Sequence, residues 1–195
     1  MQALSANAGV FTQKASAVSS TVVHAGSLGE AADYALRLCS EKVFSRPASP
    51  DGYSGEKILA APEMPEALFA RLVAVGKEKG VTVIAGGLRE RMAGIDVGFS
   101  VADMGIAETG TIILRCFGED ARLASMICET HVLALPLSGI VATSYDAEDF
   151  LRKAMESPMY TAFISGCSRT SDIERVLTLG VHGPLELHIV LVEEA

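Results

Sequence analysis

A chain of 195 residues, 49% hydrophobic and 21% charged, is long enough for one domain with a substantial core. Its formal net charge of −8 argues against a general affinity for nucleic acid or anionic membranes, while leaving room for a local cationic pocket. No apolar run reaches the length of a bilayer span, and residues 1–20 hold Lys14 as their only lysine and no compact apolar core, so neither a membrane span nor a secretory signal is expected, and the expected location is cytoplasmic.

Residues 1–17, dense in Ala and Ser, are expected as an N-terminal tail and 18–195 as a single domain. A strand over 18–25 leads to a helix over 28–44, with Ser27 as cap and Glu30 closing a capping box. Pro47, Pro50, Gly52 and Gly55 mark 45–55 as a surface excursion and a candidate lid. A strand over 57–60 precedes a helix over 65–79, whose stripe is Leu68, Leu72 and Val75 and whose stop is Gly80. A strand over 81–85 ends at Gly86-Gly87, and one helical turn covers 88–92. Strands over 97–101 and 111–116 bracket the segment 102–110, followed by a short helix over 121–128. A strand over 131–135, an extended piece over 139–142, a helix over 146–156 and a strand over 160–165 come next. A helix over 171–177, boxed by Ser171 and Glu174, and a strand over 187–192 complete the chain.

This alternation predicts an α/β fold with a mostly parallel, helix-covered sheet, and the close strands at 97–116 predict an antiparallel insertion or edge. Ligands in such folds sit beyond the carboxyl ends of strands. The polar loops at 86–87, 102–110 and 165–170 each follow a strand and are expected to meet at one rim.

The stretch ISGCSRTSDIERVLTLGVHGP, residues 164–184, carries more polar chemistry than a helix cap needs. Ser171 and Glu174 suffice for capping. Gly166 allows close backbone approach, Ser165, Ser168 and Thr170 add hydroxyls, and Arg169 adds a fork for carboxylate or phosphate. With a helix N-terminus behind them, these residues read as an anion-binding loop. Neither the Walker A pattern nor the dinucleotide fingerprint occurs. Glu108, placed between Ile106-Ala107 and a strand, is a candidate acid–base or nucleophilic residue if burial raises its pKa. Its other reading is a turn carboxylate accepting backbone N–H groups. Thr109 offers a hydroxyl beside it, and Asp103 reads as a turn former. His182, flanked by Gly180 and Gly183, reads as an anion ligand, a base or a turn residue, while His24, His131 and His188 read as structural. Cys39, Cys116, Cys128 and Cys167 form no C-x-x-C pair, so no metal site or cofactor is expected.

The blocks GIAETGTIIL and ISGCSRTSDIERVLTLGVHGPLELHIVLVE resemble the LUD-domain family, with the likeness running from about Val18 to the C-terminus. The resemblance implies a three-layer α/β/α fold similar to the sugar-phosphate isomerase and CoA-transferase group. It also implies a role in oxidising L-lactate to pyruvate beside partner proteins that hold iron–sulfur clusters. Where the family usually carries proline, this chain has Cys167. Three functions are compatible: a non-redox lactate-utilisation component that binds a small anion, a free-standing isomerase- or acyl-transfer-type enzyme acting on a phosphorylated or CoA-linked molecule through Glu108, and a structural partner without a ligand.

Overall fold

The computed structural model describes residues 2–44, 55–91, 94–171 and 176–194. Residues 45–54 of the expected excursion and residues 172–175 of the helix expected at 171–177 lie outside these. Helix α1 (Gln2–Ala17) leads to β1 (Ser20–Ser27) and α2 (Leu28–Glu41), then β2 (Lys57–Ala60), α3 (Glu66–Glu78) and β3 (Val81–Ile84). Strand β4 (Val97–Val101) runs into the hairpin β5 (Met104–Ile106) and β6 (Thr111–Cys116), followed by α4 (Glu119–Ile127) and β7 (Thr130–Pro136). Next come β8 (Ile140–Val141), α5 (Glu148–Ala154), β9 (Tyr160–Ile164), the short pair β10 (Arg169–Thr170) and β11 (Thr178–Leu179), and β12 (Glu186–Glu194).

Six strands form a wholly parallel sheet in the order β1-β12-β7-β4-β2-β3. Both of its faces are covered, so β7 reads as a continuous apolar run rather than an alternation. Successive residues still part to opposite sides. Leu133, Leu135, Ile189 and Leu191 pack with α1 and the second sheet, while Val132, Ala134, Val190 and Val192 pack with α2 and α3. The second sheet, β8-β5-β6-β9, lies on the α1 side and carries α5 on its outer face. The fold is α/β with a mostly parallel sheet, as the alternation predicts, and the antiparallel insertion is real.

Local chemistry explains the helix starts that were legible. The Ser27 hydroxyl accepts from the Glu30 N–H at 3.3 Å, and the Glu30 carboxylate accepts at 2.8 Å from the N–H of Gly26, one residue before the cap, a shifted form of the capping box read from the sequence. The expected tail is a correction. Residues 2–17 form α1, with Phe11 and Ala15 fully buried in the core. Ala8, Phe11 and Ala15 share one helical face, but the two alanines are too small to give a strong apolar stripe.

The expected single rim is also corrected. Loops after β3 and β4 leave the carboxyl ends of the parallel strands. The loop after β9 sits at their amino ends, with Gly166 against Val18 ahead of β1 and Ser168 donating its N–H to the Pro184 carbonyl ahead of β12. Strand β9 belongs to the antiparallel sheet, so its exit is not bound to the direction of the parallel strands.

Candidate functional site

The signature loop begins with a backbone requirement. Gly166 has φ 82°, and a Cβ there would lie 2.1 Å from the Val18 carbonyl oxygen, so only glycine lets the loop seat against the start of β1. The Ser168 N–H donates to the Pro184 carbonyl and the Ser168 carbonyl accepts from the Gly180 N–H, both at 2.9 Å. These bonds stitch 166–170 to 180–184. Arg169 then pairs with Leu179, and Thr170 with Thr178, in an antiparallel ladder.

That ladder corrects the helix-terminus argument. Ser171, Val176 and Leu177, the described ends of the expected helix, are not helical, and Glu174 lies outside the described residues. Any anion seat here therefore draws on side chains rather than on a described helix dipole. Arg169 is exposed and makes no ion pair among the described residues. His182 is exposed too, whereas Ser168 and Thr170 are half-buried.

Beside the loop lies a cleft of about 260 Å³ whose walls include Gly166, Cys167, Ser168, Met126, His131 and Tyr160. Of the candidate ligand residues read from the sequence, Gly166 and Ser168 line it, with Cys167 between them. Ser165 and Thr109 meet elsewhere, in a hydroxyl chain through Thr111: Thr109 to Thr111 is 2.7 Å and Thr111 to Ser165 is 2.7 Å. Thr111 was missed, although its place two residues after Thr109 at the start of β6 put it on the same side. Gly110 closes this turn at φ 66°, and a Cβ there would lie 2.3 Å from the Ala15 amide nitrogen, so the hairpin tip docks directly on α1.

Glu108 is not buried. Its carboxylate accepts the Ser144 N–H at 2.7 Å from an exposed position, because the hairpin tip turns residues 108 and 109 outward while Ala107 and Gly110 face inward. The premise of a desolvated catalytic acid is overturned, and the backbone N–H it accepts comes from the distant Ser144 rather than from its own turn.

His131 looks like half of a nucleophile–base pair, since its Nε2 lies 3.1 Å from the Ser100 hydroxyl. Burial lowers its pKa to about 3, which keeps the ring neutral and leaves it a poor proton acceptor. Cys167 is a free cysteine that packs in the core cluster while lining the cleft, so its thiol is largely shielded from solvent. Asp103, expected as a turn former, instead holds Arg115: Oδ2 accepts the Arg115 N–H and Oδ1 accepts Nε, each at 2.8 Å. An arginine inside the apolar run of β6 was the overlooked signal. Among the described residues no group of three or more acidic, His or Cys side chains could hold a metal ion.

The LUD domain profile matches residues 8–192, beginning inside α1. The chain is similar to lactate utilization protein C of Exiguobacterium sp. (strain ATCC BAA-1283 / AT1b), 34% identical over 110 residues, which are 54% of this chain and 48% of that protein. It is 35% identical over 103 residues to lactate utilization protein C 1 of Bacillus mycoides, covering 51% of this chain and 44% of that one. With lactate utilization protein C of Bacillus subtilis the identity is 31%, covering 51% and 43%. The matched region thus spans about half the length of these relatives. The crystal structure of a DUF162 family protein from Deinococcus radiodurans superposes with a TM-score of 0.66 and 17% identity, covering 97% of this chain and 98% of that one, a likeness of fold.

Proposed function

The chain belongs to the LUD-domain family, and on that premise we propose that it serves lactate utilisation as a component without a redox centre of its own, binding a small anion beside the signature loop and working with iron–sulfur partner proteins. The observation that carries the reading is the run of relatives named lactate utilization protein C. The loop's geometry supports the anion: Ser168 on a cleft wall, followed by the exposed Arg169. The four cysteines lie buried in separate parts of the chain, an arrangement that favours placing clusters on partners. The free-standing enzyme reading loses its main support with the exposure of Glu108.

The test is growth. A strain lacking this gene should fail on L-lactate as sole carbon source while growing on glucose. Wild-type protein should restore growth, and a Ser168→Ala/Arg169→Ala double variant should restore it poorly at equal protein level. Normal growth of the deletion strain on L-lactate would defeat the proposal, and full rescue by the double variant would remove the anion from it.

A further inference from the structure

The cleft beside the signature loop is built by packing more than by the loop itself. Gly98 of β4 lets α4 lie directly on the parallel sheet, since a Cβ there would stand 2.3 Å from the Ala124 carbonyl oxygen. That contact sets Ser125 and Met126, the next residues of α4, along one side of the cleft. All five residues of β9 line another side. Strand β9 is an edge of the second sheet, paired only with β6, and an edge strand keeps unpaired N–H and C=O groups on its outer side. His131 and Leu187, register partners in β7 and β12, belong to the same lining.

Among the described residues of the lining none is charged, and burial keeps the His131 ring neutral. Arg169 is exposed and is not one of the walls, so an anion held by Arg169 sits outside them. A carboxylate between the walls would lose its hydration with no charge to compensate.

Hydrogen-bonding capacity remains there all the same. His131 spends Nε2 on the Ser100 hydroxyl at 3.1 Å, and Nδ1 has no partner among the described residues. A buried imidazole with one ring nitrogen unmet, on the wall of a cleft, is an anchor for a ligand's hydrogen bond. The Thr161 and Ser168 hydroxyls also lack partners among the described residues. Tyr160, Phe163 and Met126 stay 40%, 55% and 37% exposed along the same cleft. Two aromatic rings and a thioether favour contact with another ring. An amide sets C=O beside N–H, which suits a strand edge and serves either tautomer of His131.

We propose that this cleft binds an uncharged planar ring carrying an amide, with the amide hydrogen-bonded to His131 Nδ1 and the ring against Met126 and Tyr160. Nucleobases and carboxamide-bearing cofactor rings share that chemistry. The assignment rests on the cleft's own walls and stands whether or not the loop holds an anion.

Titration of nitrogen-labelled protein with benzamide, nicotinamide, uracil and benzoate, followed by nuclear magnetic resonance, tests it. At least one of the three amides should bind saturably, with a Kd of about 1 mM or tighter for so small a ligand. The tightest of them identifies the source of the ring. Benzoate, the same ring with a charge in place of the amide, should bind about tenfold more weakly than benzamide or not at all. The His131 Nδ1 signal should shift on binding, and Nε2, held by Ser100, should move less. Met126→Ala trims a partly exposed wall and should weaken binding about fivefold. Absence of saturable binding by all three amides overturns the proposal. So does benzoate binding as tightly as benzamide, a His131 Nδ1 signal that stays in place, or affinity unchanged in Met126→Ala. Failure here with the growth phenotype intact counts against this cleft assignment alone, and the reverse result counts against the lactate reading alone.

Discussion

At the residue scale, the structure turns on groups whose environment contradicts their type. His131 is the clearest. Imidazole prefers protonation below about pH 6.5, but burial holds His131 neutral down to about pH 3 in the folded chain. The unfolded chain therefore binds the extra proton first as pH falls. A base with a depressed folded pKa contributes stability that is fully present above its unfolded pKa and is lost as pH falls toward its folded one. Between pH 6.5 and 4.5 this one residue should cost about 2 kcal/mol. Urea unfolding at the two pH values measures it. His131→Gln should show a correspondingly smaller acid loss, and an equal loss in variant and wild type would mean that the ring titrates normally. His188 leans the same way, since burial lowers its pKa first, while its bond to Glu186 raises it in part. Its Nδ1 lies 2.7 Å from the Tyr34 hydroxyl and its Nε2 3.2 Å from Glu186, which fits a neutral ring donating from Nε2. Lys42 closes the chain at 2.6 Å from Glu186 and 2.9 Å from the Thr130 hydroxyl.

At the scale of elements, what the sequence made legible was local. The capping box of α2 involves residues three apart, and the apolar runs of β4, β7 and β12 have the length and composition of buried strands. What it hid was decided by partners far away in the chain. Helix α1 is held by packing onto β1 and the second sheet, not by a marked stripe of its own. Ser171 and Glu174 make 165–170 read as the approach to a helix, yet the backbone bonds of 168–170 go to 178–184. The hydroxyls of Thr109 and Ser165 were legible as polar, but their joining through Thr111 depends on β6 pairing with β9. Gly166 tests this dependence. Gly166→Ala combines a positive φ with a 2.1 Å clash on the Val18 carbonyl, so the loop must lift off β1. The variant should lose about 2 kcal/mol or more of stability in chemical denaturation, beyond the usual range of a surface glycine. A loss under about half a kcal/mol would mean that the loop is not seated there.

At the scale of the whole molecule, the parallel sheet separates two apolar layers that share no side chain but do share strands. Phe11 is fully buried on the α1 side, and Leu72 is buried on the α3 side. The same strands, β7 and β12, supply alternate residues to both layers. Loosening either layer therefore strips contacts from strands that the other layer needs. This predicts one cooperative transition rather than two. Phe11→Ala should cost about 3–5 kcal/mol and Leu72→Ala about 2–5 kcal/mol. The side chains do not touch, so the double variant should lose the sum to within about half a kcal/mol, still in a single transition. Urea unfolding followed by far-ultraviolet and near-ultraviolet signals measures both points. Two separated transitions in Phe11→Ala, with the α3 side melting at its original midpoint, would show that α1 and the second sheet form an independent unit laid against the sheet. Coincident midpoints with additive costs would show that the domain, α1 included, unfolds as one.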